Sequence, residues 1–213
     1  MRVLMVSQFY PPTVGGQEQV VRNMSAALAR RGHEVSVATF DNAAAAVCDP
    51  GVTVHTMPNF WARFAGQFAD AQRPHTPPAP DPTFARAFAA LIARERPDVI
   101  HTHDWLVHSS IRARTHGRIP LVLSLHDYGW VCANKRLMRD GSVCSGPGLA
   151  KCVACAARFY GPKGILVAGA LAARHRRVRA AVDHVLPVSS EVARRSGLRA
   201  GIDMYTVLPN FLP

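Results

Sequence analysis

The chain has 213 residues, 48% of them hydrophobic, enough to bury a substantial core in one large domain or two small ones. Its formal charge is +11, and arginine supplies nearly all of it, because lysine occurs only at Lys135, Lys151 and Lys163. A basic balance favours anionic partners such as nucleotide diphosphates, lipid phosphates or nucleic acid. The longest apolar run, Ile165 to Ala173, falls far short of the ~20 residues a bilayer requires, which excludes a membrane-spanning helix.

The first element is "RVLMVS" (2–7), a continuous apolar run as expected of a strand buried on both faces. It ends at a polar residue and two prolines, too early for a signal-peptide core, so the protein is expected in the cytoplasm with its five cysteines reduced. After the loop "QFYPPTVGG", Val20, Val21, Met24, Ala27 and Leu28 fall at helical spacing, with Arg30 and Arg31 in the last turn and Gly32 as the stop. Strands follow at 34–40 and 52–57. Phe60, Trp61, Phe64 and Phe68 lie on one side of a short helix, and the prolines of 73–82 impose a loop. Beyond it come a helix at 83–95, a strand at 98–103, a helix at 105–116 and a strand at 120–126. A cysteine-rich segment at 128–157 is followed by a helix at 163–181, a strand at 184–189, a helix at 190–198 and a last strand at 204–208.

This alternation predicts an α/β fold, Rossmann-like and doubly wound. A mainly parallel sheet carries helices on both faces, with the cysteine-rich insertion after the fifth strand. Ligands of such sheets bind beyond the carboxyl ends of the strands. The candidates are therefore Ser7 to Gly16, His103-Asp104, His126-Asp127 and Ser189-Ser190. Gly15 and Gly16 open a helix, either as a simple tight turn or as a place where backbone amides meet an anion. The pattern is not G-x-G-x-x-G, so NAD is disfavoured. Asp127 either contacts a ligand or caps the turn that follows. His101 is expected to face away from His103 and pack under the helices.

Taken together, "FYPPTVGGQEQVVRNMSAALARRGHEVSVAT", "RPDVIHTHDW", "PLVLSLHD", "VLPVSSEV" and "VLPN" resemble, in order and spacing, the N-terminal domain of family 4 (group 1) glycosyltransferases of the GT-B fold. The resemblance covers most of the chain. It implies an enzyme of hexosyltransferase type that moves a sugar from a nucleotide-sugar donor to a sugar or lipid-linked acceptor hydroxyl with retention of configuration, and that needs no cofactor for the chemistry. It places Gly15 and Gly16 against the donor diphosphate and acceptor, His126 on the donor sugar, and His103 and Asp127 beside them. It also implies that residues 1–213 are the acceptor-side domain. The C-terminal nucleotide-sugar-binding domain is absent, and the chain, a truncated piece of the enzyme, is inactive alone.

Cys132, Cys144, Cys152 and Cys155 are the remaining chemistry. The "CVAC" pair has zinc-knuckle spacing, and four thiolates can close a structural zinc site that staples a lid beside the cleft. Free thiols or an iron–sulfur cluster are the alternatives, and Cys48 stands apart. The basic run "ARHRRVRA" (173–180) and the Phe60–Phe68 segment with Arg63 are either solvated and core-packed faces or contacts with an anionic membrane. A nucleotide-sugar 2-epimerase of the same fold is the alternative enzyme, although no catalytic carboxylates for it are evident. A basic zinc module for nucleic acid is the alternative outside enzymes. It is disfavoured, because neither a recognition helix nor a stacking aromatic pattern accompanies the cysteines.

Overall fold

In the computed structural model, residues 1–13, 15–40, 49–67, 75–114 and 119–210 are described. The strands in chain order are β1 (Arg2–Val6), β2 (Glu34–Phe40), β3 (Val52–Met57), β4 (Val99–His103), β5 (Leu121–Leu125), the short pair β6 (Met138–Arg139) and β7 (Ser142–Val143), and β8 (His184–Pro187). The helices are α1 (Gly16–Arg30), α2 (Pro82–Glu95), α3 (Val107–Ala113), α4 (Leu149–Tyr160), α5 (Lys163–Ala181) and α6 (Ser190–Arg195). Six strands form one parallel sheet in the order β3-β2-β1-β4-β5-β8, the doubly wound arrangement.

The two faces of the sheet are separated by the period of two along each strand. Val3 and Met5 join Val35, Val37 and the α1 residues Val20, Val21 and Met24 on one face. Leu4 and Val6 join Ile100, Leu123 and Leu125 on the other, under Phe84 and Phe88 of α2, Val107 of α3, Val178 of α5 and Val192 of α6. The chain order reverses direction between β1 and β4, so the loops leaving these strands diverge and open a crevice at their carboxyl ends.

Three elements differ from expectation. Segment 204–208 is not a full strand: it runs beside β8 through the single bridge between Val185 and Tyr205, and its backbone bonds continue to Thr206 and Leu208. The aromatic segment is a 3-10 helix, Phe60–Gln67, broken at Phe64, with Phe60, Trp61 and Phe64 packed on one another at ring distances of 5.4–6.4 Å. The cysteine segment contains helix α4, to which the sequence pattern assigns no element. Cys48, Phe68, Arg73 and Pro74 lie outside the described residues.

Asp81 locks the crossover into β4. Its fully buried carboxylate accepts the Thr83 and Phe84 amides as the N-cap of α2 and the Phe60 amide at 2.8 Å, while its own amide donates to Ser109 Oγ of α3. Asp81→Ala strands the buried Phe84 amide and the part-buried Thr83 and Phe60 amides, and urea unfolding should show a loss of about 2–4 kcal/mol. A loss below about 1 kcal/mol would contradict this account of the crossover.

Candidate active site

The site is built where β1, β4 and β5 end. At the end of β4 the chain turns through Asp104, a non-glycine residue in left-handed backbone (φ 55). Its Oδ1 accepts the Leu106 amide at 2.9 Å and its Oδ2 accepts Gln17 Nε2 at 2.8 Å. Gln17 is the second residue of α1 and also donates to Ser7 Oγ at 3.4 Å. One side chain therefore joins the ends of β1 and β4 and the start of α1 across the crevice. Burial raises the Asp104 pKa, and the nearby Lys135 and the Gln17 bond oppose that shift.

Beside it stands a column of imidazoles. Residues two apart on a strand share a face, so His101 and His103 stack at a ring distance of 4.6 Å. This corrects the expectation that His101 faces away. Parallel register puts His103 opposite Ser124, and continuing past the end of β5 puts His126 on the same face. His103 Nδ1 and His126 Nε2 are 2.8 Å apart with the rings stacked, and His101 Nε2 lies 2.8 Å from Ser124 Oγ. All three rings are disfavoured as cations. Burial lowers the His101 pKa to about 3, with His126 adding to the effect. Burial, then His101 and His126, pushes His103 well down. Burial lowers His126 too, although Asp127 and Asn210 pull it back.

The outer nitrogens of the pair, His103 Nε2 and His126 Nδ1, are buried without a hydrogen bond of ordinary geometry. A neutral imidazole has one donor and one acceptor. Whichever ring donates across the 2.8 Å contact, one outer nitrogen is then left a donor and the other an acceptor.

A small open cavity, with free space of about 30 Å³, adjoins this column. His126, Asp127, Gln17 and Asp104 line it from the sheet side, Trp130 and Lys135 from the cysteine segment, and His175 from α5. Lys135, also in left-handed backbone (φ 62), sits 4.5 Å from the centre of the Trp105 ring and 3.9 Å from Asp127 Oδ2.

The expected site residues do not all play the expected parts. His126 is half-buried and lines the cavity. His103 is fully buried, so in this arrangement it reaches a ligand only through His126. Asp127 Oδ1 accepts the Gly129 amide at 2.6 Å, which is the turn-capping alternative, while Oδ2 faces Lys135. Gly15 is the extended N-cap of α1, and a Cβ there would come within 2.0 Å of the Glu18 carboxylate. Nothing lies within 4 Å of a Cβ built on Gly16, so space is open at that point of the helix start.

The model of Glycosyltransferase Family 4 matches residues 14–213. The chain belongs to this family. Glycogen synthase of Mycobacterium tuberculosis, in two strains, is 34% identical over 156 residues, covering 62% of the chain and 36% of that protein. The family 4 chain thus spans about a third of the length of these relatives. Among solved structures, the catalytic domain of starch synthase IV from Arabidopsis thaliana, bound to ADP and acarbose, superposes with a TM-score of 0.44 at 17% identity, over 63% of the chain and 36% of that structure. The glycosyltransferase SsfS6 from Streptomyces sp. SF2575 superposes with a TM-score of 0.47 at 16% identity, over 88% and 50%.

The four lid cysteines of this family 4 chain are half-buried free thiols. Cys132 Sγ bonds Asn134 Oδ1 at 3.0 Å, and the Asn134 amide reaches Cys155 Sγ at 3.4 Å. Cys144 points to the Gly146 carbonyl, and Cys152 accepts the Gly148 amide. Among the described residues no group of three or more His, Cys, Asp or Glu side chains is arranged to hold a metal. The lid is held by the Asn134 bridge, by Tyr160 donating to the Ala133 carbonyl, and by Ala133, Ala156, Ala168 and Leu171.

Gln17, Lys135 and the Trp105–Trp130 walls were not anticipated from the sequence. Gln17 directly follows the glycine pair, and Lys135 is one of only three lysines, but neither signal says what it faces.

The histidine column predicts a pH dependence. These side chains are protonated more readily when unfolded, near pH 6.5, than when folded. Their contribution to stability is therefore present above pH 6.5 and is lost as pH falls toward the folded values, about 3 for His101 and about 4 for the buried His108. Urea unfolding should show a loss of roughly 2 kcal/mol for each of these two between pH 7 and pH 5. A flat profile over that range would refute the neutral column.

Proposed function

We propose that this chain is the acceptor-side domain of a retaining glycosyltransferase of hexosyltransferase type, moving a sugar from a nucleotide-sugar donor to an acceptor hydroxyl in the cytoplasm. Family membership supplies the class of reaction. The observation that carries the site is His126, at the cavity wall and hydrogen-bonded to the buried His103.

Burial holds His126 neutral, so it offers the donor sugar a hydrogen bond without adding a cation that would compete for the leaving diphosphate. Its partner His103 fixes the ring plane and takes up whichever tautomer the ligand selects, a positioning role. Gly16 leaves the start of α1 open for the diphosphate to approach backbone amides. Gln17 and Asp104 hold that helix start against the end of β4. Lys135 puts a cation at the mouth, where an anionic group of donor or acceptor would pass. The groups that grip the nucleotide, and most of the charge that stabilises the departing diphosphate, belong in this reading to a further domain, and these residues alone turn over little.

Two variants in the complete enzyme test the assignment. His126→Ala should lower kcat/KM for transfer by about 10²-fold or more while leaving the fold intact. Gly16→Ala meets open space and should shift stability by less than about 0.5 kcal/mol, yet weaken donor binding about tenfold. Wild-type rates in both would remove the site from this crevice. Ordinary turnover of nucleotide sugars by the 213-residue chain alone would overturn the division of labour between domains.

A further inference from the structure

The lid hairpin is built inside out for a helix pair that meets only water. Its inner seam is made of small residues: Ala156 of α4 packs with Ala168 of α5. A Cβ on Gly164 would lie 2.0 Å from the Ala156 carbonyl, so the helices touch at backbone distance. Leu171 closes the inner end of the seam, and other large apolar side chains point outward. Leu149 and Leu166 are each 75% exposed, Ile165 50% and Phe159 45%. Met138 and Val143 of the β6–β7 hairpin are exposed as well, so six of the eleven exposed large hydrophobics among the described residues fall between 138 and 166.

Charge follows the same surface. Residues 128–181 hold ten lysines and arginines and one acid, Asp140, a net of +9 out of the chain's +11. That acid is already paired with Arg158 at 2.5 Å and Arg139 at 3.3 Å. Helices α4 and α5 contain no acidic residue. Along the outer side of α5 the apolar stretch from Ile165 to Ala173 gives way to exposed Arg176 and Arg177. The Arg136 guanidinium lies 5.0 Å from the centre of the Phe159 ring.

We infer that the outer face of the α4–α5 and β6–β7 hairpins docks on an anionic lipid bilayer. Exposed leucine, isoleucine and phenylalanine enter the headgroup boundary, and the surrounding arginines meet lipid phosphates. The charge complementarity selects this occupant. A bare polyanion would use the arginines but would give no reason for outward-facing leucines. This surface is also distinct from the cluster of Phe60, Trp61 and Phe64, whose rings pack on one another. The docking stands whether or not the chain transfers sugar. If the transferase reading holds, Trp130, Lys135 and His175 set the cavity mouth beside the membrane, which suits a lipid-linked acceptor.

Co-sedimentation of the chain with phosphatidylcholine vesicles, with and without phosphatidylglycerol, tests the inference and needs no substrate. Binding to the anionic vesicles alone is expected. The double variants Leu149→Asp/Leu166→Asp and Arg176→Glu/Arg177→Glu should each lower the partition coefficient about tenfold or more. All four positions are exposed, so circular dichroism should be unchanged. No binding to anionic vesicles overturns the inference. So does binding that the aspartate pair leaves intact, which would be plain attraction between polycation and anion. A wild-type dimer split by the aspartate pair, without vesicle binding, assigns the face to a second copy. Binding by this chain that a longer enzyme lacks assigns it to another domain.

Discussion

The contact between His103 Nδ1 and His126 Nε2 fixes the geometry on which the site depends. It joins the ends of β4 and β5 beside the point where the sheet reverses its winding, and it requires at least one of the two rings to be neutral. Two imidazolium rings 2.8 Å apart would repel, and neither would retain an acceptor nitrogen. Burial excludes the cations, His101 and Ser124 fill the rest of the column, and His126 alone emerges at the cavity wall. A buried polar group left without a partner costs about 1–3 kcal/mol. His103 Nε2, fully buried, bears that cost inside the column, while His126 Nδ1 has the Asn210 side chain beside it.

Around this column, two left-handed residues face each other across the crevice. Asp104 turns the chain out of β4 and Lys135 turns it within the lid, each at a backbone cost of about 1–2 kcal/mol. Gln17 ties the first to α1, and the Trp105 ring seats the ammonium of the second. The lid thus reaches the site through Lys135 and Trp130, while its cysteines sit behind, joined through Asn134 rather than through the cavity. Its outer surface carries both the exposed leucines and most of the net charge, so one insertion shapes the mouth on one side and a contact surface on the other.

Much of the sheet was legible because buried parallel strands are continuous apolar runs, and six of the seven expected strands pair as such. The seventh, 204–208, runs beside β8 and bonds to it through Met204, Thr206 and Leu208, yet it makes only the one bridge at Tyr205. Helix α4 was hidden by its composition: alanines and cysteines give a weak apolar signal, and "CVAC" invited a metal reading. Gly15, Gly16, His103, His126 and Asp127 all gather at the crevice, because strand ends and a helix start converge there in any doubly wound sheet. Their division of labour was not legible. It depends on the register that sets His103 opposite Ser124, on the period of two that stacks His101 on His103, and on Glu18 folding back over Gly15. These are long-range relations among residues far apart in the chain.

The most direct measurement is the ionisation and tautomer of the histidine nitrogens, followed by nitrogen-15 NMR from pH 7 down to pH 5. The account predicts that His101 and His103 remain neutral throughout and that His126 gains its proton only below pH 6.5, with the shared proton between His103 Nδ1 and His126 Nε2 shifted downfield as in a hydrogen bond at pH 7. Titration of either member of that pair near pH 6.5, with loss of the shared proton signal, would contradict it.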